Sequence, residues 1–121
     1  MKGLFIAATL ACGFLVPSVA SAKSGAEISE WSKTYASGNV NHPDYGLYLG
    51  YVIGAVDAMD GILFCAPASV TYKQAAMMLA QHLEKNPSQW DMPGAFILGD
   101  TMKQVFPCAD DKMLPNLKRS R

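Results

Sequence analysis

Few residues of this chain could do chemistry. The candidates are three cysteines, two histidines and two closely spaced aspartates: Cys12, Cys65, Cys108, His42, His82, Asp57 and Asp60. A nucleophile needs a base beside it, and a metal site needs Cys or His ligands at short, regular spacing. No Ser-His-Asp set, HExxH pattern or ligand spacing is recognisable in the sequence. The pattern predicts a binding protein rather than an enzyme, with no metal and no cofactor.

The two aspartates lie three positions apart, so on a helix they would share a face and could act as an acid pair. Solvation or a structural hydrogen bond is the more common role. Asp57 also falls close to a glycine stripe, Gly46, Gly50 and Gly54. Each such glycine costs roughly 1 kcal/mol in a helix relative to alanine, so the stripe predicts another backbone packed very close, with Asp57 beside it. Transmembrane dimers use similar stripes, but aspartates in the apolar span favour a soluble core helix.

Residues 1–22 have the features of a secretory signal peptide. Lys2 supplies the positive start, Leu4 to Val16 form an almost unbroken apolar run, and Ala20-Ser21-Ala22 offers a cleavage site. A lipoprotein anchored at Cys12 is the alternative, disfavoured because the apolar run continues past that cysteine. The sequence therefore predicts a periplasmic protein that has no membrane segment once the leader is removed.

Cleavage would leave Cys65 and Cys108 as the only cysteines of the mature chain. Export places them in an oxidising compartment, which predicts a disulfide between them. By chain-entropy reasoning, such a bridge contributes roughly 4 kcal/mol, a large share of a small domain's stability. A reactive or metal-binding thiol pair is the disfavoured alternative.

The whole sequence has 10 Lys and Arg against 10 Asp and Glu, so without the leader's Lys2 the remaining chain has a net charge near −1. It therefore lacks the basic footprint that a nucleic-acid partner needs. Its length suits one small domain, residues 23–110. The hydrophobic core of a domain this small would give only marginal stability without a cross-link such as a disulfide. Residues 111–121 are polar, basic and interrupted by proline, which predicts a flexible tail.

Periodicity predicts an all-α fold, a small four-helix domain stapled by the Cys65–Cys108 disulfide. The first helix starts after Ser24, which forms a capping box with Glu27, and its apolar residues recur at helical spacing. The second runs from Tyr45 to about Phe64 and is apolar on nearly every side, which predicts a central, mostly buried helix ended by Pro67.

The third helix begins near Thr71, which has the capping-box offset from Gln74, and it stops at Asn86-Pro87. The fourth restarts at Pro93, a residue tolerated in a helix's first turn, and closes at Pro107. No strand and no internal repeat are predicted.

Polar turns between these helices are the predicted partner contacts. They are His42 and Asp44 before the second helix, and Ser88, Gln89 and Asp91 before the fourth. Such turns can enter a cleft and pair with its polar groups. Trp90, inside the second turn, has two open interpretations, an interface anchor or a hydrophobic staple for the fourth helix.

The chain contains four short segments in a specific order: Gly50-Tyr-Val-Ile-Gly54, Cys65-Ala-Pro67, Val70-Thr71 and Phe106-Pro-Cys108. In order and spacing they resemble the Tai-type amidase-immunity family of type VI secretion systems. The resemblance implies a small α-helical periplasmic protein, often a homodimer, that acts without catalysis. It would neutralise a cognate peptidoglycan amidase effector by plugging or covering the active-site cleft.

Two other functions stay open at this point. A periplasmic acid-stress chaperone of the HdeA type would also be small, exported, helical and stapled by one disulfide, and acid would expose its methionine-rich faces. A structural envelope subunit would pack its glycine stripe against a copy of itself.

Overall fold

The computed structural model describes residues 21–109. They form four helices, α1 (Gly25–Ala36), α2 (Pro43–Met59), α3 (Tyr72–Lys85) and α4 (Gly94–Val105), with a 3-10 turn at Pro87–Gln89 before α4. The all-α, four-helix prediction is confirmed. The leader up to residue 20, including Cys12, and the tail from residue 111 lie outside the described residues, so both stay predictions. In the described part, every helix is too short or too polar to cross a bilayer.

Capping residues explain where α1 and α3 begin. Ser24 accepts a hydrogen bond from the Glu27 amide, and the Glu27 carboxylate accepts one from the Ser24 amide. Thr71 and Gln74 make the same reciprocal pair at the start of α3. Each pair satisfies two helix-end N–H groups, so both predicted starts are confirmed. Since α1 ends at Ala36, Gly38 can then reverse the chain with φ +74°.

The predicted span of α2 is wrong at its C-terminal end. The helix starts at Pro43, after His42, whose ring accepts a hydrogen bond from the Asp44 amide. It ends at Met59, well before the predicted Phe64, because Asp60 turns extended and Gly61 adopts φ +79°. A positive φ is favourable mainly for glycine, so Gly61 marks the end of the helix. The apolar residues after Gly61 led to the longer predicted span.

The predicted burial of α2 on nearly every side is also wrong. Tyr48, Val52 and Val56 form one buried face, while Leu47 on the opposite side is 51% exposed. A Cβ added at any of the three stripe glycines would meet nothing within 4 Å. Within the described residues, then, no second backbone covers the stripe, and the expectation of a close intrachain helix contact fails. The apolar composition of α2 belongs partly to the protein surface.

The core lies between the four helices. Its largest fully buried side chains come from every helix and from the turn after α2, and include Ile28, Tyr48, Phe64, Leu79, Leu83, Leu98 and Met102. Two glycines allow the close approaches that this packing requires. A Cβ on Gly25 would lie 2.9 Å from Trp90 Cα, and one on Gly94 would lie 2.7 Å from Ile28 Cγ1. Trp90 is half-buried and donates its indole N–H to the Leu83 carbonyl, so it stabilises the packing of its turn against α3.

Tyrosines join α1 and α2 to α3. The Tyr35 ring stacks at a tilt on those of Tyr45 and Tyr48, with centroids 4.8 and 5.1 Å apart. The Tyr48 hydroxyl donates to the Ala76 carbonyl at 2.6 Å, and the Tyr35 hydroxyl donates to the Lys73 carbonyl at 3.3 Å. Burial raises the pKa of Tyr48 far above its ordinary value. These two hydroxyl contacts hold the first half of α3 in place.

The Cys65–Cys108 disulfide closes a 43-residue loop, with the two Cα atoms 4.8 Å apart. This pairing is confirmed, but Cys65 lies beyond the turn that follows α2 rather than at the end of a helix. The Cys65 amide also donates to the Phe106 carbonyl at 2.8 Å. The bridge therefore ties the turn after α2 to the end of α4.

Candidate functional site

A tight turn at residues 60–64 presents two apolar side chains to solvent. The Gly61 amide donates to the Phe64 carbonyl at 2.7 Å, and both tip amides donate to the Met59 carbonyl at 2.9–3.0 Å. Phe64 is fully buried, while the tip residues Ile62 and Leu63 are 56% and 47% exposed. The turn is thus held at its base by hydrogen bonds to the Met59 and Phe64 carbonyls, and its tip, Ile62 and Leu63, is apolar.

Phe96 of α4 is a third exposed apolar side chain, which helical spacing places near this turn. Leu63 lies over Gly99, where a Cβ would be 3.6 Å from Leu63 Cδ1 and 3.3 Å from Met59 Sδ. Phe96 is nearly one helical turn before Gly99 and is 61% exposed. We call the surface of Ile62, Leu63 and Phe96 the apolar patch. Exposed clusters of this kind mark interaction sites in soluble proteins.

The surroundings of the apolar patch are acidic. No lysine, arginine or histidine occurs between His42 and Lys73, whereas Asp57 and Asp60 lie at the end of α2. On α4, Asp100 and Lys103 fall one and two turns beyond Phe96 and are exposed. The local charge is therefore net negative.

Asp57 and Asp60 have structural partners instead of forming an acid pair. The Asp57 carboxylate accepts a hydrogen bond from the Tyr72 hydroxyl, and this bond raises the pKa of Tyr72 above its ordinary value of 10.0. Asp60 accepts from the Ala66 amide at 3.0 Å. Asp57 thus links the end of α2 to the start of α3, a contact different from the predicted one with a backbone near the glycine stripe.

The five predicted partner contacts fall on two separate surfaces. His42 and Asp44 follow the end of α1, and the His42 ring lies 3.7 Å from the Asp44 carboxylate. The turn that carries Ser88, Gln89 and Asp91 lies at the opposite end, where the Ala26 amide donates to the Trp90 carbonyl. A 12-residue helix spans about 18 Å, so the two sets cannot form one compact site.

Gln89 is also less available than the sequence suggested. Its side-chain oxygen lies 2.7 Å from His82 Nε2, and both residues are half-buried. Ser88 and Asp91 in the same turn are exposed. The pair holds the turn against α3 and leaves those two side chains as its free polar groups.

A groove of about 490 Å³ runs between α1 and α3. It is open because small residues, Ser32, Ala36 and Ala80, face each other across the two helices. Lys33 lies at its edge, 5.7 Å above the Trp90 ring. Among residues 21–109, no group of three or more His, Cys, Asp or Glu could hold a metal ion.

The sequence pattern does not reveal the apolar patch, because the apolar residues Ile62 and Leu63 fit the interior of a helix extended to Phe64. A signal was present, since Asp60-Gly61 is a dipeptide typical of turns. No comparable signal marks Phe96, because its exposure depends on how α4 packs.

A small, disulfide-stapled helical domain with surface features suited to a protein partner defines a class, the small binding proteins. A family profile described as Rap1a immunity proteins matches residues 24–108, and the chain belongs to that family. No curated protein and no solved structure matches the chain significantly. The family resemblance is confirmed: this is an immunity protein, an inhibitor of a type VI amidase effector and not an enzyme. The finding favours immunity over the chaperone and envelope-subunit hypotheses.

Proposed function

We propose that the mature protein waits in the periplasm, binds one incoming peptidoglycan amidase and blocks the enzyme's active-site cleft. Membership of the Rap1a immunity family carries this proposal. The Cys65–Cys108 disulfide supports an oxidising compartment, and the leader-like residues 1–22 supply the route to it.

Affinity capture with tagged residues 23–121 at neutral pH tests the partner. We expect one stoichiometric amidase, whose hydrolysis of purified peptidoglycan stops at a 1:1 ratio. An amidase that stays active when saturated with the protein would contradict inhibition. Broad capture of unrelated proteins near pH 3 alone would revive the chaperone hypothesis.

Cell fractionation tests the location. A C-terminally tagged full-length chain is expected in the periplasm, with an N-terminus at Lys23 after cleavage behind Ala22. Retention of the whole chain in the cytoplasm would contradict the proposal, and lipid-linked protein in the membrane fraction would favour the Cys12 lipoprotein alternative.

We further propose that two copies pair through the outer face of α2. The stripe glycines leave open space, and Leu47 projects beside them, so a second backbone could approach closely. A face without side chains at its three glycines suits two-fold self-association.

Gly54→Lys tests this pairing, since the position is open and lysine has a better helix propensity than glycine. We expect light scattering to show a wild-type dimer and a variant monomer. At concentrations that keep both proteins monomeric, the melting temperature of the variant should equal or exceed that of the wild type. Gln81→Lys, at an exposed position of α3, is the matched control and should stay dimeric. A monomeric wild type at micromolar concentration would refute the pairing.

A further inference from the structure

We propose that the amidase effector binds the apolar patch of Ile62, Leu63 and Phe96, and that its complementary cleft is apolar at the centre and basic at the rim. The inference rests on the proposed function, because it assumes an amidase partner. It replaces the polar turns at 42–44 and 88–91 as the main contact surface.

The shape of the 60–64 turn fits insertion into a cleft. Its tip residues, Ile62 and Leu63, follow the end of α2 and are about half exposed, and the backbone hydrogen bonds to Met59 and Phe64 close its base. Buried Phe64 and the adjacent disulfide at Cys65 hold the turn against the core. Because the tip is already ordered, binding loses little conformational entropy.

The apolar character of the surface supplies the driving force. Two aliphatic side chains and one aromatic ring, about half or more exposed in the free protein, would lose contact with water on binding. Most enzyme pockets are lined by apolar side chains with a few polar groups, so such a tip has a natural counterpart in an amidase cleft.

Charge selects the occupant. Asp57 and Asp60 lie at the end of α2, and Asp100 lies one turn beyond Phe96. Against these three carboxylates stands the exposed Lys103 on α4, so the net charge beside the patch is negative. Two copies facing each other through the patch would bring their carboxylates together, which is unfavourable. Residues 46–56 of α2 carry no charge, so pairing along that stretch has no such penalty. The patch therefore suits a different protein with lysine or arginine at the cleft rim.

The test uses the amidase identified by capture and the full mature chain. The double variant Ile62→Ser with Leu63→Ser, and separately Phe96→Ser, should weaken binding by roughly 30-fold or more in calorimetry, as for residues at the centre of an interface. Val40→Ser is the matched control, since Val40 is 63% exposed but lies in the α1–α2 turn. Its affinity and the melting temperatures of all variants should equal those of the wild type.

Charge reversal gives an independent readout. Asp100→Lys should lower the association rate, most strongly at low salt, while Asp91→Lys with Gln89→Ala should leave it unchanged.

The outcomes separate the inference from the function. Wild-type affinity in both patch variants would overturn the inference and leave immunity intact, and so would loss of affinity confined to the Asp91 variant. Patch variants that become monomeric yet still bind the amidase would assign the patch to a second copy, which also overturns it. If the wild-type protein itself does not bind the amidase, the result contradicts the proposed function rather than the choice of binding surface.

Discussion

At the scale of single residues, Tyr48 has an unusually demanding position. Its ring is fully buried and its hydroxyl donates to the Ala76 carbonyl of α3. Tyr48→Phe keeps the ring and removes the donor, so we expect a loss of about 1 kcal/mol in the free energy of unfolding. Urea titration at pH 8 measures it. An unchanged unfolding midpoint would mean that the hydrogen bond makes no net contribution.

The same tyrosine makes stability sensitive to alkali. Burial raises the pKa of Tyr48 and of Tyr35 above the ordinary 10.0. Near pH 10 the tyrosine hydroxyls of the unfolded chain lose their protons, while Tyr48 and Tyr35 of the folded chain keep theirs. The contribution of these two groups to stability is therefore fully present below pH 10 and falls as the pH rises beyond it. Tyr48→Phe should make that fall shallower between pH 10 and 11. An equal slope in both proteins would contradict the assignment to Tyr48.

Two glycines should respond to the same substitution in opposite directions. A Cβ on Gly25 would lie 2.6 Å from Ile97 Cδ1 and 2.9 Å from the Trp90 backbone, so Gly25→Ala should cost about 1–3 kcal/mol. Gly50→Ala, on an open helix face, should gain up to about 1 kcal/mol. Chemical denaturation at a concentration that keeps the protein monomeric compares them, and a destabilised Gly50→Ala monomer would contradict the open face.

At the scale of elements, the disulfide is the largest single stabilising contact that can be removed cleanly. Replacing Cys65 and Cys108 by serine together should lower the free energy of unfolding by roughly 4 kcal/mol, because the unfolded chain regains the freedom of a 43-residue loop. Thermal unfolding measures the loss. Wild-type protein treated with reductant is the control and should match the double variant; a difference between them would point to strain introduced by the serines.

Helices with local signals could be predicted from the sequence, and the exposed faces could not. Capping boxes at Ser24 and Thr71 are local hydrogen-bond patterns, so the starts of α1 and α3 were recoverable. Hydrophobic periodicity cannot tell a buried apolar residue from an exposed one, so α2 was extended through Ile62 and Leu63. The candidate site was missed for the same reason, since its exposure is set by tertiary packing.

Family resemblance reached further than periodicity. The leader and the two remaining cysteines predicted the bridge, the resembling segments predicted the immunity family, and both the bridge and the family are confirmed. Those positions are scaffold, however, and they carry no information on which surface meets the partner. Partner contacts depend on which side chains the packed helices leave outside.

At the scale of the whole molecule, the protein has two apolar faces of different character. The outer face of α2 has no side chains at its three glycines and no charge over residues 46–56, whereas the patch consists of large apolar side chains with Asp60 and Asp100 near it. Met59 and Gly99 join α2 to α4 beneath the patch. Distinct surfaces would let one molecule hold a second copy and an amidase at once.

The closed loop between Cys65 and Cys108 also contains α3, the turn at residues 86–93 and α4 in full. A protease that cut the chain at exposed Ser88 would leave one fragment with α1, α2 and α3 and another with α4, joined through the disulfide. The cut protein would run as one band without reductant and as two with it. Exported proteins are exposed to proteases of the cell envelope. The disulfide would keep the two fragments of the protein together after a single cut in that turn.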